Sequence, residues 1–131
     1  PNKRVLMKDL LKEMLTELET LVAGLPRNSR HRTLRCHLSS LTAIDSAGSD
    51  LSMAIVAVAA AEPDLLDPLR SALEADLARI EDEMTDAGLG RLIFLALQGM
   101  RFHALLALPD GGTSVRNQIT RRIEEMIENA D

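Results

Sequence analysis

Catalysis needs side chains that exchange protons, hold a metal or attack a bond, and in this chain of 131 residues few are spaced for that work. The three histidines, His31, His37 and His103, lie far apart, and none has the i, i+4 histidine neighbour that zinc hydrolases carry on one helix face. Cys36 stands beside His37, but adjacent helical residues point in different directions, so the thiol reads as a small buried or half-buried hydrophobe. Glu81, Asp82 and Glu83 read as a solvated surface rather than paired acid/base carboxylates. Asp110, Gly111 and Gly112 read as a turn and not a phosphate cradle, because no strand precedes them and no lysine follows. No catalytic or metal site and no cofactor is expected, and the chain does not read as an enzyme.

More informative are polar residues set inside apolar helices. Arg91, Phe94, Gln98, Arg101 and Leu105 fall on one stripe by their spacing of three and four. A buried arginine without compensation is costly, so Arg101 needs an acidic partner, a ligand or water. Two readings stand side by side. In one, Arg101 pairs with an acid at a helix or subunit boundary; in the other, Gln98 and Arg101 are the polar groups of a mostly apolar cavity. His103 reads as an interface histidine, and Met7, Met14, Met53 and Met100 read as core.

Arg91, Phe94, Gln98, Arg101, His103 and Leu105 sit on residues 89–108 (LGRLIFLALQGMRFHALLAL), the stretch the chain is arranged around. A surface helix of a monomer has one apolar stripe and a charged opposite face. Here apolar residues occur on almost every side, so one face must meet the domain's own core and another a partner subunit. The length suits a bilayer crossing, but two arginines, a glutamine and a histidine argue against it.

Composition agrees with a single helical domain. Hydrophobic residues make up 46%, yet only Phe94 and Phe102 are aromatic, and Leu, Ala, Met and Glu dominate. The size is enough for one real core. A net charge of −5 gives no basic field for gripping nucleic acid. The single cysteine excludes an internal disulfide and suits a reducing cytoplasm.

Six helices are expected. The first runs over residues 3–23, capped by Asn2, and ends before Gly24-Leu25-Pro26; its stripe includes Met7, Leu11, Met14 and Leu18. A second covers about 30–46, with Leu34, Leu38, Leu41 and Ile44 on one side, and a short buried one covers 51–61. Glu62-Pro63 stops that helix. Asp67 and Pro68, as N-cap and first helical residue, start a fourth, which runs to about Thr85 with Asp76, Arg79, Asp82 and Glu83 outward. After a break at residues 86–88 comes the central helix, then a last one to about Asn129, capped by Thr113 or Ser114.

The order of elements resembles a known family. Residues 1–6 (PNKRVL) resemble the start of the connecting helix of TetR-family transcriptional regulators, directly after their DNA-recognition helix. Residues 62–70 (EPDLLDPLR) look like the family's x-P-x-L-L-x-P-L-R segment, and residues 86–102 resemble its penultimate helix. The resemblance implies an all-α, six-helix orthogonal bundle spanning residues 1–131 as one effector-binding and dimerisation domain. Residues 1–23 would be the connecting helix from a helix-turn-helix expected before Pro1, so DNA would be reached only through that missing part. Lys3 matches a position that often touches a DNA phosphate. Gln98 replaces a frequent Asp, and Arg101 stands where an aromatic is common.

The implied mechanism has the last two helices of each subunit forming a four-helix homodimer interface, with Leu92, Ala96, Gly99, His103, Ile119, Ile123 and Met126 facing the twin. A small apolar or amphipathic effector would enter between the first, fourth and central helices, against Met14, Leu18, Leu41, Phe94, Gln98, Arg101 and Phe102, and tilt the first helix. The rivals are a stand-alone dimerising adaptor without a small molecule and, more distantly, a helical enzyme with a buried Arg–Gln site.

Overall fold

A computed structural model describes residues 2–42, 60–105 and 108–131, apart from the side chains of Met14, Glu17, Leu18, Leu21, Val22, Thr42 and Leu105. Among the described residues there are five α-helices and no strand: α1 (Lys3–Gly24), α2 (Arg32–Thr42), α3 (Asp67–Glu83), α4 (Ala87–Leu105) and α5 (Thr113–Asn129). A 3₁₀ turn, Pro63–Leu66, leads into α3. The end of the expected second helix and residues 51–59 of the expected buried helix lie outside the described residues, while residues 60–61 are helical.

Helix starts follow from local chemistry, with departures from expectation at α2, α3, α4 and α5. Asn2 caps α1 as expected, its Oδ1 accepting from the Val5 amide at 2.9 Å. At α2 the helix begins at Arg32, because His31 takes a left-handed backbone (φ +52°) and turns its ring inward. Its Nε2 lies 2.9 Å from the Ala130 carbonyl oxygen, so the chain's last residues are tied to the start of α2. At α3, Leu66 and not Asp67 is the cap residue, since the 3₁₀ turn runs straight into the helix and leaves Pro68 inside its first turn. At α5, neither Thr113 nor Ser114 caps. Gly112 precedes the helix, and Asp110 accepts its amide through Oδ1 at 3.0 Å. Gly111 (φ +92°) leads into this turn, and a Cβ there would lie 2.9 Å from Val115.

One core joins α2 to α5. Leu34, Ile80, Ile93, Leu97 and Ile127 are fully buried, and Leu38, Met84, Phe94 and Ile123 complete the cluster. Burying side chains of this size contributes about 1.5–3 kcal/mol each. A second, smaller cluster attaches α1, with Leu11 and Met7 against Leu65 and Leu66 of the 3₁₀ turn. Arg4 reinforces it by ion pairs to Glu62 and, at 3.5 Å, Asp64.

The acidic run 81–83 is structural rather than merely solvated. Glu83 reaches α2, accepting from the Thr33 amide at 3.0 Å and the Thr33 hydroxyl at 2.8 Å. A carboxylate at this position satisfies one of the amide donors that a helix N-terminus leaves open and complements its positive end. Glu81 pairs with Arg91 at 2.7 Å, and Asp82 alone of the three is exposed.

Helix α4 starts two residues earlier than its apolar stretch, because Asp86 accepts the Leu89 amide at 3.0 Å and closes the first turn. The next residue, Gly90, is buried against α3. A Cβ built there would sit 2.8 Å from Ile80 Cγ2 and 3.0 Å from Met84 Sδ. The Gly90→Ala variant must therefore lose stability even though alanine is the better helix former. We expect a loss of about 1–3 kcal/mol, read as a lower urea midpoint with unchanged slope; a midpoint equal to or above wild type would refute the close packing of α3 on α4.

Candidate functional site: the polar core between α2, α3 and α4

The spacing 37, 40, 41 on α2 and 94, 98, 101 on α4 brings two helix faces together, and Asp76 of α3 meets them. His37 is at the centre. Its ring is buried, with Nε2 2.9 Å from Asp76 Oδ2 and Nδ1 3.2 Å from Gln98 Nε2. A carboxylate only accepts, which assigns the proton to Nε2 and makes Nδ1 the acceptor of the Gln98 amide. Phe94 stacks edge-on to the same ring, with centroids 5.2 Å apart at 88°. The other Asp76 oxygen, Oδ1, accepts from Arg79 at 2.7 Å.

One turn further along both helices, Arg101 donates through a terminal nitrogen to Ser40 Oγ. The Ser40 hydroxyl in turn donates to the His37 carbonyl at 2.8 Å. The Arg101 Nε is buried and has no hydrogen-bond partner. Burial pushes this guanidinium below its ordinary pKa, and the Asp76 charge works in the opposite direction. Arginine stays protonated even so.

Several sequence expectations land here and several do not. Phe94, Gln98 and Arg101 converge as one stripe of α4, while Arg91, on the same stripe, is exposed and pairs with the half-buried Glu81. Leu41 packs half-buried against the core beside Met100. Phe102, expected in the pocket wall, is 52% exposed and stands on the opposite face with Leu92 and Leu95. The side chains of Met14 and Leu18 lie outside the described residues. The expected interface residues divide as well. Leu92, Ala96, Gly99, His103 and Ile119 are exposed, Met126 is half-buried, and Ile123, at 5% exposure, belongs to the chain's own core. His103 binds the Pro109 carbonyl at 3.0 Å through Nδ1, and Lys3 is exposed at the start of α1.

The sequence reading missed His37 and Asp76. Spacing sets His37 only beside Cys36 and puts Asp76 outward, whereas in the structure Asp76 is half-buried and serves two partners. The available signal was the run Leu34, His37, Ser40, Leu41, which sets two polar groups on an apolar helix face. Cys36 is buried as expected, and burial raises its thiol pKa, with Arg32 opposing and Asp76 and Glu83 assisting. Among the described residues no group of three or more histidines, cysteines or acids could hold a metal, and no helix is long and apolar enough to cross a membrane.

Two hollows lie outside the site, neither of them walled by His37, Asp76, Gln98 or Arg101. One, about 440 Å³, lies between α1 and the start of α3, with Leu11, Leu15, Leu65 and Pro68 as walls and Arg4, Lys8 and Lys12 along one side. The other, about 100 Å³, is lined by Leu41, Met100, Ala104, Thr113, Asn117 and Thr120, among others.

Helices α2 to α5 around a core with this polar centre, with no strand among the described residues, agree with the all-α class expected from the sequence. Residues 31–128 match the family described as tetracyclin repressor-like, C-terminal domain. The chain belongs to the TetR family. Neither the curated proteins nor the solved structures gave a match. The matched region runs from the buried His31 almost to the end of α5, so it takes in the whole polar core; α1 precedes it. The TetR match thus covers every helix that contributes to the His37 cluster.

Removing the carboxylate at Asp76 leaves a buried His37 N–H without an acceptor. Asp76→Ala should cost about 1–3 kcal/mol by urea denaturation, and Asp76→Asn, which keeps an acceptor oxygen, less. An unchanged midpoint in Asp76→Ala would show that the cluster contributes nothing to the packing of α2 on α3. Cys36, protonated and 4% exposed, should react with a thiol reagent at least tenfold more slowly in the native protein than in urea. Equal rates in the two conditions would contradict its burial.

Proposed function

We propose that this chain is the ligand-sensing and dimerisation domain of a TetR-like transcriptional regulator, in which a small molecule bound among the helices alters the DNA affinity of the parent protein. The observation that carries the reading is the family match over residues 31–128. Two features of the fold support it. The outer face of α4 exposes Leu92, Leu95 and Phe102, and α5 adds Val115 and Ile119, an apolar surface of the kind a homodimer covers. The inner face of the same helix carries Gln98 and Arg101 among apolar side chains, as a ligand pocket requires.

In this reading DNA contact belongs to a helix-turn-helix in the parent protein, and Lys3 at the start of α1 lies where a DNA phosphate would be touched. The domain is regulatory rather than catalytic, and its place of action is the cytoplasm. The effector works through α1: a molecule that favours one position of α1 over another shifts the spacing of the DNA-reading heads. Couplings of this kind are typically about 1–3 kcal/mol. The second reading, a dimerising adaptor without a small molecule, shares the apolar face and lacks the pocket.

Sedimentation at micromolar concentration should give a dimer, and Leu95→Glu with Phe102→Glu should give a folded monomer by circular dichroism. A wild-type monomer would overturn the dimer assignment. Thermal shift against a panel of small apolar and amphipathic compounds separates sensor from adaptor, with at least one saturable stabilising hit expected; a panel with none favours the adaptor.

A further inference from the structure

Among the described residues of the polar core, the guanidinium of Arg101 is a buried charge without an ion-pair partner. Asp76, the acid nearest in effect, already gives one oxygen to His37 and the other to Arg79. Ser40 offers Arg101 only a hydroxyl lone pair, because its own proton goes to the His37 carbonyl. Among the described residues no carboxylate forms an ion pair with Arg101, one of its five N–H donors is bonded, and its Nε is sealed from water without a partner. Such a group carries a desolvation cost that a second ion of opposite sign offsets.

We propose that Arg101 is the anchor for the head group of the effector, and that this head group is a single carboxylate. The inference rests on the sensor reading above and narrows it. A carboxylate matches the planar fork of a guanidinium with two parallel hydrogen bonds. A phosphate, with about two negative charges, would meet one buried cation here, with Asp76 repelling it. The rest of the effector is apolar, because the half-buried Leu41 and Met100, with Ala104, wall a hollow of about 100 Å³ on the same two helices. Gln98 stands one turn before Arg101 on α4 and orients the head group, while its bond to His37 links occupancy of the site to the α2–α3 contact.

The test uses the full chain and matched probe pairs: straight-chain monocarboxylates of four to ten carbons and benzoate, each against the alcohol of the same skeleton, by calorimetry and thermal shift. At least one carboxylate should bind tenfold or more tightly than its alcohol. Arg101→Met should abolish that preference, Arg101→Lys should keep part of it, and ligand-free Arg101→Met should melt no lower than wild type, since it removes an uncompensated charge. Alcohols binding as tightly as their carboxylates, or a preference that survives Arg101→Met, overturns the anchor and leaves the sensor reading standing. An Arg101→Met chain that fails to fold also overturns it, because the arginine would then be serving the fold. If no carboxylate and no alcohol binds, the anchor falls, and the sensor reading falls with it once the wider compound panel is also empty.

Discussion

Helix α4 is apolar on two opposite sides, and the arrangement of the other helices covers one of them. Its inner side is closed within the chain: Ile93, Phe94 and Leu97 meet Leu34 and Leu38 of α2, Ile80 of α3, and Ile123 and Ile127 of α5. Its outer side, with Leu95 at 66% exposure, is left bare by the chain's described residues. Glycine at position 90 allows α3 to approach within van der Waals contact, so the inner closure is tight where α4 begins. An apolar stripe of this kind on water-facing helix surface is unusual for a monomer, which is why the outer side points to a second molecule.

Into this interior the chain places a row of hydrogen bonds joining Asp76, His37 and Gln98, with the exposed Arg79 closing its solvent end. Each member has a partner on another member, so the cost of withdrawing them from water is largely met. Arg101 stands apart from that accounting, joined to it only through Ser40 and the His37 carbonyl. A satisfied row and an unsatisfied neighbour thus share one helix face.

Much of the architecture was legible in the chain because helical periodicity is a strong signal. The stripes of α1, α3, α4 and α5 and the two-sided character of α4 follow from spacing alone, as does the cap at Asn2. What spacing could not supply was partnership across helices. Glu83 looks like a surface acid until Thr33 is brought opposite it, and His37 looks like a neighbour of Cys36 until Asp76 arrives from α3. The same limit explains Ile123 and Phe102. Both have apolar spacing, and only the rotation of each helix about its axis decides whether the residue faces inward or outward. His31, read as helical, leaves the helix because its ring is drawn to the Ala130 carbonyl, a contact nearly a hundred positions away.

The carboxylate of Glu83 belongs to the last turn of one helix and seats the first turn of another, so α2 and α3 share a fixed corner. Rotation of α3 about that corner is levered along its length, about 24 Å to Asp67 at 1.5 Å per residue. A tilt of about 5° would sweep the opposite end through about 2 Å over a lever of that length. That swinging end joins the 3₁₀ turn whose Leu65 and Leu66 cradle α1. A small tilt at the α2–α3 corner would thus reach the turn beside α1 as a larger displacement than any next to the corner itself.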